Sequence, residues 1–164
     1  MGRLLGLLAG LAGVLSLLLV LFRRKKKHFG FGVQPVDIVL NGTKGRCEAT
    51  VHPDEVILSK KNGDVVRWDI TNPHESSGEA CPGQVEVCVD KWTFSPNEHA
   101  PHPWPACHAP VEPHGTGQFC RQVSPGQTKH LPARVKQDAR EGYYKYSVFV
   151  GGREVVDPIV RLVI

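Results

Sequence analysis

The sequence has a single methionine, Met1, and few aromatic residues, 7% of 164 positions. It has no GxSxG, no HExxH and no glycine-rich phosphate cradle, which removes the motif-level signs of a serine nucleophile elbow, a helical zinc pair and a nucleotide loop. It has no CxxCH either: WPACH, residues 104–108, carries Trp104 where a haem-attachment motif needs its first cysteine. Cys107 and His108 are adjacent, but adjacency does not set nucleophile–base geometry, and no third orienting group is indicated. We therefore expect no catalytic residues and no enzyme. From residue 36 onward no window repeats its apolar residues at i, i+3, i+4 and i+7, and there is no internal repeat or heptad, so bundles, coiled coils and solenoids are excluded.

Long apolar runs, by contrast, are not lacking. Residues 4–22, LLGLLAGLAGVLSLLLVLF, carry no charge. As a helix they would reach about 28 Å, close to one hydrocarbon thickness. A cleavable signal peptide would have a shorter apolar region and a small-residue cleavage site, whereas here Arg23, Arg24, Lys25, Lys26 and Lys27 follow directly. The expectation is one N-terminal transmembrane helix with a basic flank, residues 1–27, contacting membrane lipid through residues 4–27. Gly6 and Gly10 form one GxxxG, a spacing that permits helix self-association. Arg3 and the basic block hold six positive charges, which leaves residues 28–164 at −2 against a total of +4. A nucleic-acid partner is not expected for such a domain.

After a glycine-containing spacer, residues 28–35, a domain over 36–164 is expected to be all-β. VDIVL (36–40) and RCEATVHP (46–53) are candidate strands separated by the turn NGTKG, which also contains a glycosylation sequon at Asn41. EVILSKKNGDVVRWDITN (55–72) predicts a hairpin around Asn62-Gly63, the dipeptide a type I′ turn prefers, with Val66, Trp68 and Ile70 on the buried face of its second arm. QVEVCVDKWTF (84–94) alternates, with Val85, Val87 and Val89 on one face and Cys88, Trp92 and Phe94 on the other. Residues 95–118 lose all period. Strand character resumes at 127–133, a helical turn is expected near VKQDARE, and YYKYSVFV (143–150), a Gly151-Gly152 turn and PIVRLVI (158–164) close the chain. Short strands between turn signals predict a Greek-key β-sandwich.

Two stretches resemble the cupredoxin family. GDVVRWDITNPH (63–74) resembles the strand that runs through an asparagine into the loop bearing the first copper histidine, and GYYKYSVFVGG (142–152) resembles the aromatic strand near the family's end. The resemblance covers about residues 46–75 and 125–164 and implies a cupredoxin-like sandwich. In the family, blue copper is held by two histidines and a cysteine thiolate, usually with a weak axial methionine. His74 matches the first histidine, but the cysteine's place is taken by Val148, and no Cys, His or Met follows it. The resemblance thus implies the fold without type 1 copper, with Val148 in the core.

The remaining chemistry lies in a Pro/His/Cys-rich insertion at about 78–120. Cys81, Cys88, Cys107 and Cys120 fall within it, while Cys47 stands apart. Outside the cytoplasm these four would form two disulfides, with three possible connectivities, Cys107 among those paired. In the cytoplasm they would be thiols or ligands. The basic flank argues by the positive-inside rule for a cytoplasmic domain, and the grouped cysteines argue for an extracytoplasmic one, which we favour over its alternative. His99, His102, Cys107, His108 and His114, with His74, are the candidate metal ligands. Prolines 101, 103, 105, 110 and 113 prevent a helix from setting His99 and His102 on one face. No cofactor is therefore expected, with copper or zinc as the possible exceptions. The function expected is that of a single-pass, membrane-anchored binding module with an unknown protein partner. The alternative is a metal-handling or electron-transfer protein that takes copper or zinc through the insertion.

Overall fold

The structure, a computed structural model, describes residues 32–43, 46–114 and 118–164. The expected membrane span, its basic flank at 23–27, the Gly6/Gly10 pair and the spacer as far as residue 31 lie outside the described residues. Among the described residues no helix is long and apolar enough to cross a membrane.

The described chain is a two-sheet β-sandwich. Its strands are β1 (Val33–Thr43), β2 (Arg46–His52), β3 (Glu55–Ser59), β4 (Val65–Asn72), β5 (Val85–Ser95), β6 (Val111–Pro113), β7 (Cys120–Val123), β8 (Gln127–Val135), β9 (Gly142–Val150), β10 (Arg153–Val156) and β11 (Ile159–Val163). One sheet runs β2-β1-β4-β8-β6 and the other β3-β11-β9-β5-β7, with β10 on β9. The pairs β1/β4 and β3/β11 are parallel.

Alternation fixes the core. Val36, Ile38 and Leu40, Val66, Trp68 and Ile70, and Leu131, Ala133 and Val135 bury one sheet's inner face. Val56 and Leu58, Val87 and Val89, Tyr144, Tyr146 and Val148, and Val160 and Leu162 bury the other's. Each aliphatic side chain so placed contributes on the order of 1.5–3 kcal/mol. An aromatic group fills the centre: Trp68 lies 5.7 Å from Tyr146 and 6.4 Å from Trp92, and Trp92 5.0 Å from Tyr146, between ring centroids. The indole of Trp68 donates to Tyr146 Oη at 3.0 Å. Val148 is fully buried, in the core position expected for it.

Several expectations are corrected. The Asn62-Gly63 segment is not a hairpin turn: β3 pairs with β11 and β4 with β1 and β8, so the chain changes sheets there. Only Gly63 takes a positive φ, whereas a type I′ turn needs two in succession. The deciding group is Asp64, a buried carboxylate that accepts the backbone amides of Ser59 at 2.8 Å and Gly32 at 3.3 Å. It caps the crossing and leaves Val56 and Leu58 to pack in the opposite sheet.

In β5, Trp92 does not share a face with Cys88. Lys91 takes φ 53°, and the β5/β9 register shifts between Asp90 and Thr93. A bulge inserts one residue and reverses the alternation beyond it, so Trp92 joins Val87 and Val89 in the core. The expected spacer is shorter than 28–35, because Val33, Gln34 and Pro35 pair with β4. Pro35 is tolerated where β1 has a partner on one side only, since β2 pairs from Asp37 onward. Residues 41–43 of the NGTKG turn are still strand, and the stretch near VKQDARE makes turns and no helix. The Gly151-Gly152 turn is as expected, with φ 57° and 80° joining Val150 to Arg153.

Candidate functional site

The insertion is ordered by its own residues at three points. At its base, Cys88 and Cys120 face each other in register across β5 and β7 and are joined by a disulfide. Further along, residue 93 pairs with 106 as an isolated bridge, the amide of Phe94 donates to Pro105 O at 3.0 Å, and that of Cys107 to Trp92 O at 2.8 Å. At its tip Trp104 is 5% exposed and turns its indole N–H back onto Ala100 O at 3.1 Å. The ring of His102 stacks on Trp104 at 4.8 Å, and Lys145 Nζ lies 5.4 Å from the Trp104 centroid. Pro101, Pro103 and Pro105 remain exposed around this anchor.

Each expected ligand can be placed. His74 precedes a 3-10 turn, Glu75–Ser77, is exposed, and rests on Gly126. A Cβ at position 126 would lie 2.9 Å from His74 Nε2, a ring free to shift, but the φ of 75° at Gly126 favours glycine there. His99, His102, His108 and His114 are exposed along the insertion, and Cys107 is half-buried. Among the described residues no three of His74, His99, His102, Cys107, His108 and His114 bring their ligand atoms within 4.8 Å of one another. The group that does so is Glu86 with Cys88 and Cys120, but both sulfurs are spent in the disulfide and offer no thiolate to an ion. A glutamine, Gln122, donates to Glu86 at 3.2 Å.

The expectation of two disulfides among four cysteines is corrected to one. Cys107, expected to be paired, is a thiol, and so is Cys81. Backbone bonding holds Cys107 beside Trp92 and sets Cys81 elsewhere in the core. The asparagine of β4 fixes Cys81: Asn72 Nδ2 donates to Cys81 O and the Cys81 amide to Asn72 Oδ1, both at 3.0 Å. Its thiol instead meets Cys47, the cysteine that spacing sets apart. Burial first, then the neighbouring Cys47 thiol, pushes the Cys81 thiol up to about 12.

Two features were not anticipated. An open groove of about 470 Å³ lies under the return arm of the insertion, with Phe94, Cys107 and Tyr144 below and His108, Lys136 and Arg140 around it. Burial raises the Cys107 thiol and the Tyr144 phenol above their ordinary values. On the outer face of the first sheet, Asp69 accepts Arg67 Nε at 2.8 Å and Nη2 at 2.7 Å, and its Oδ1 lies 2.6 Å from His130 Nδ1. Burial alone would raise the Asp69 carboxyl, but the bonds from Arg67 and His130 outweigh it and hold the group below its ordinary range. Alternation along β4 marks Asp69 as outward-facing, but its contact with His130 on β8 follows from pairing alone. No protein-family model matches the chain, and no curated protein matches it.

Proposed function

We propose that the chain is a membrane-tethered, cupredoxin-like Greek-key sandwich without the blue-copper site, which acts as a non-catalytic interaction module for a protein partner. The observation that carries this reading is the anchored excursion. A proline-rich loop that is stapled by Cys88 and Cys120, bridged at 93/106 and pinned by Trp104 pays little ordering entropy on binding. Exposed Pro101, His102, Pro103 and Pro105 then offer a stiff, largely uncharged surface to a protein. Absence of the family copper site is supported by Val148, which is buried without a donor atom, and by His74, which stands without a second ligand beside it. The disulfide supports an extracytoplasmic position for the domain, since such bonds persist in oxidising compartments.

The test is site-specific photo-crosslinking of the full chain in native membranes. A probe at Pro103 should give a discrete protein adduct that is lost when Trp104→Ala is added, while a probe at Thr50, on the exposed face of β2, gives none. Equal adducts from both positions would overturn the reading. So would a stoichiometric copper or zinc ion, found by metal analysis of the full chain, that disappears on His99→Ala with His102→Ala.

A further inference from the structure

Two of the three free cysteines, Cys47 and Cys81, sit on either side of one glycine. Gly42 in β1 is the register partner of Cys47 in β2. On its other side runs the loop toward β5: the Gly42 amide donates to Glu79 O at 2.6 Å, and a Cβ at position 42 would lie 2.2 Å from Ala80 O and 3.1 Å from Cys81 N. Only glycine permits that approach, and it sets Cys81 beside Cys47, the register partner of Gly42, with the two thiols as neighbours. Neither residue is free to drift. Asn72 clamps the Cys81 backbone from both sides, and Arg153 Nη2 donates to Cys47 O at 2.7 Å.

We infer that Cys47 and Cys81 are a second, oxidisable pair that closes to a disulfide and locks edge strand β2 to the loop leading into the other sheet. Cys47 is half-buried and Cys81 fully buried, so the order of events follows from access. The oxidant is a small-molecule disulfide, RSSR. Cys47 loses its proton and its thiolate attacks one sulfur of RSSR, forming Cys47–S–S–R and releasing RS⁻. Cys81 then loses its proton, its thiolate attacks the Cys47 sulfur, and the second RS⁻ leaves. The two protons convert both anions to RSH, so two protein thiols are oxidised by two electrons while one RSSR is reduced. The inference stands apart from the interaction reading, because neither Cys47 nor Cys81 belongs to the staple, bridge or Trp104 anchor on which that reading rests.

Peptide mapping of the full chain tests it. The protein is equilibrated with oxidised and reduced glutathione at several ratios, quenched in acid, denatured and alkylated. The expected result is a Cys47–Cys81 linked peptide that grows as the pool becomes more oxidising, with the three thiols Cys47, Cys81 and Cys107 falling to one. The Cys88–Cys120 peptide, present throughout, reports that the fold is native. Alkyl or glutathionyl groups on Cys47 and Cys81 separately at the most oxidising ratio, with Cys88–Cys120 closed, would overturn the inference, as would a bridge from either to Cys107. Hydrogen exchange supplies the second readout. Amides of β2 should exchange more slowly in the oxidised protein than in Cys47→Ser, and equal rates would refute the lock.

Discussion

Replacing Tyr146 by phenylalanine tests the centre of the sandwich with one oxygen atom. The hydroxyl accepts the Trp68 indole N–H at 3.0 Å, and both residues are buried. Its removal leaves an unpaired donor in an apolar core, which costs about 1–3 kcal/mol. The indole N–H of Trp92, 6.4 Å from Trp68 between ring centroids, already lacks a partner among the described residues. For a domain of this size the expected loss in Tm is roughly 3–5 °C per kcal/mol. Calorimetry and urea titration at pH 7 would measure it.

The same variant carries a pH signature. Burial raises the Tyr146 phenol well above its ordinary value of 10. A group whose folded pKa is raised contributes stability that is fully present below the unfolded value and is lost as pH rises toward the folded one. Above about pH 10 the wild type should therefore lose up to ~1.4 kcal/mol per pH unit relative to Tyr146→Phe. The gap between the two proteins should shrink between pH 10 and 11 after being flat from pH 7 to 9. A variant as stable as wild type, or a gap that does not change with alkaline pH, would refute the assigned bond and burial.

Other outcomes follow from single contacts. Replacing both Cys88 and Cys120 by alanine opens a loop of sequence separation 32 and should cost about 3–4 kcal/mol, read as a lower urea midpoint and faster proteolysis within 96–114. Gly42→Ala places a Cβ 2.2 Å from Ala80 O. The displaced backbone should lower the urea midpoint, and thiol titration should show Cys81 more reactive than in wild type. The depressed Asp69 carboxyl contributes stability above its ordinary value of 3.8 that is lost as pH falls through its folded value. An acid titration of stability should accordingly be shallower in Asp69→Asn than in wild type. Trp104→Ala should expose 96–106 to limited proteolysis while leaving the calorimetric transition of the sandwich in place, since the side chain lies at the rim.

Local rules read well where one face alone decides the pattern. In β4 and β9 the alternation of Val66, Trp68 and Ile70 and of Tyr144, Tyr146 and Val148 fixed which side chains are buried, because each strand is regular throughout. They failed in β5, where the bulge at Lys91 moved Trp92 across the sheet, and at Asn62-Gly63, where a dipeptide suited to a hairpin serves a crossing between sheets. In both places a non-local partner outweighed the local preference: the β9 register in one, the amides of Ser59 and Gly32 on Asp64 in the other. The cysteines show the same division. Their closeness in sequence suggested bridges within the insertion, but Cys88 and Cys120 meet because two strands pair in register, and Cys107 is withheld by its bond to Trp92.

The amino-acid sequence by itself determined the all-β class, the buried faces of the regular strands, the burial of Val148, and the proline-rich character of residues 99–114. These depend on residue type and period-two spacing, which are local. Only the tertiary structure decided the sheet order, the lone bridge at the base of the insertion, the anchoring of Trp104, and the meeting of Cys47 with Cys81 across Gly42. Those depend on which strands become neighbours, and a pairing between residues 34 positions apart leaves no mark in either one's surroundings along the chain.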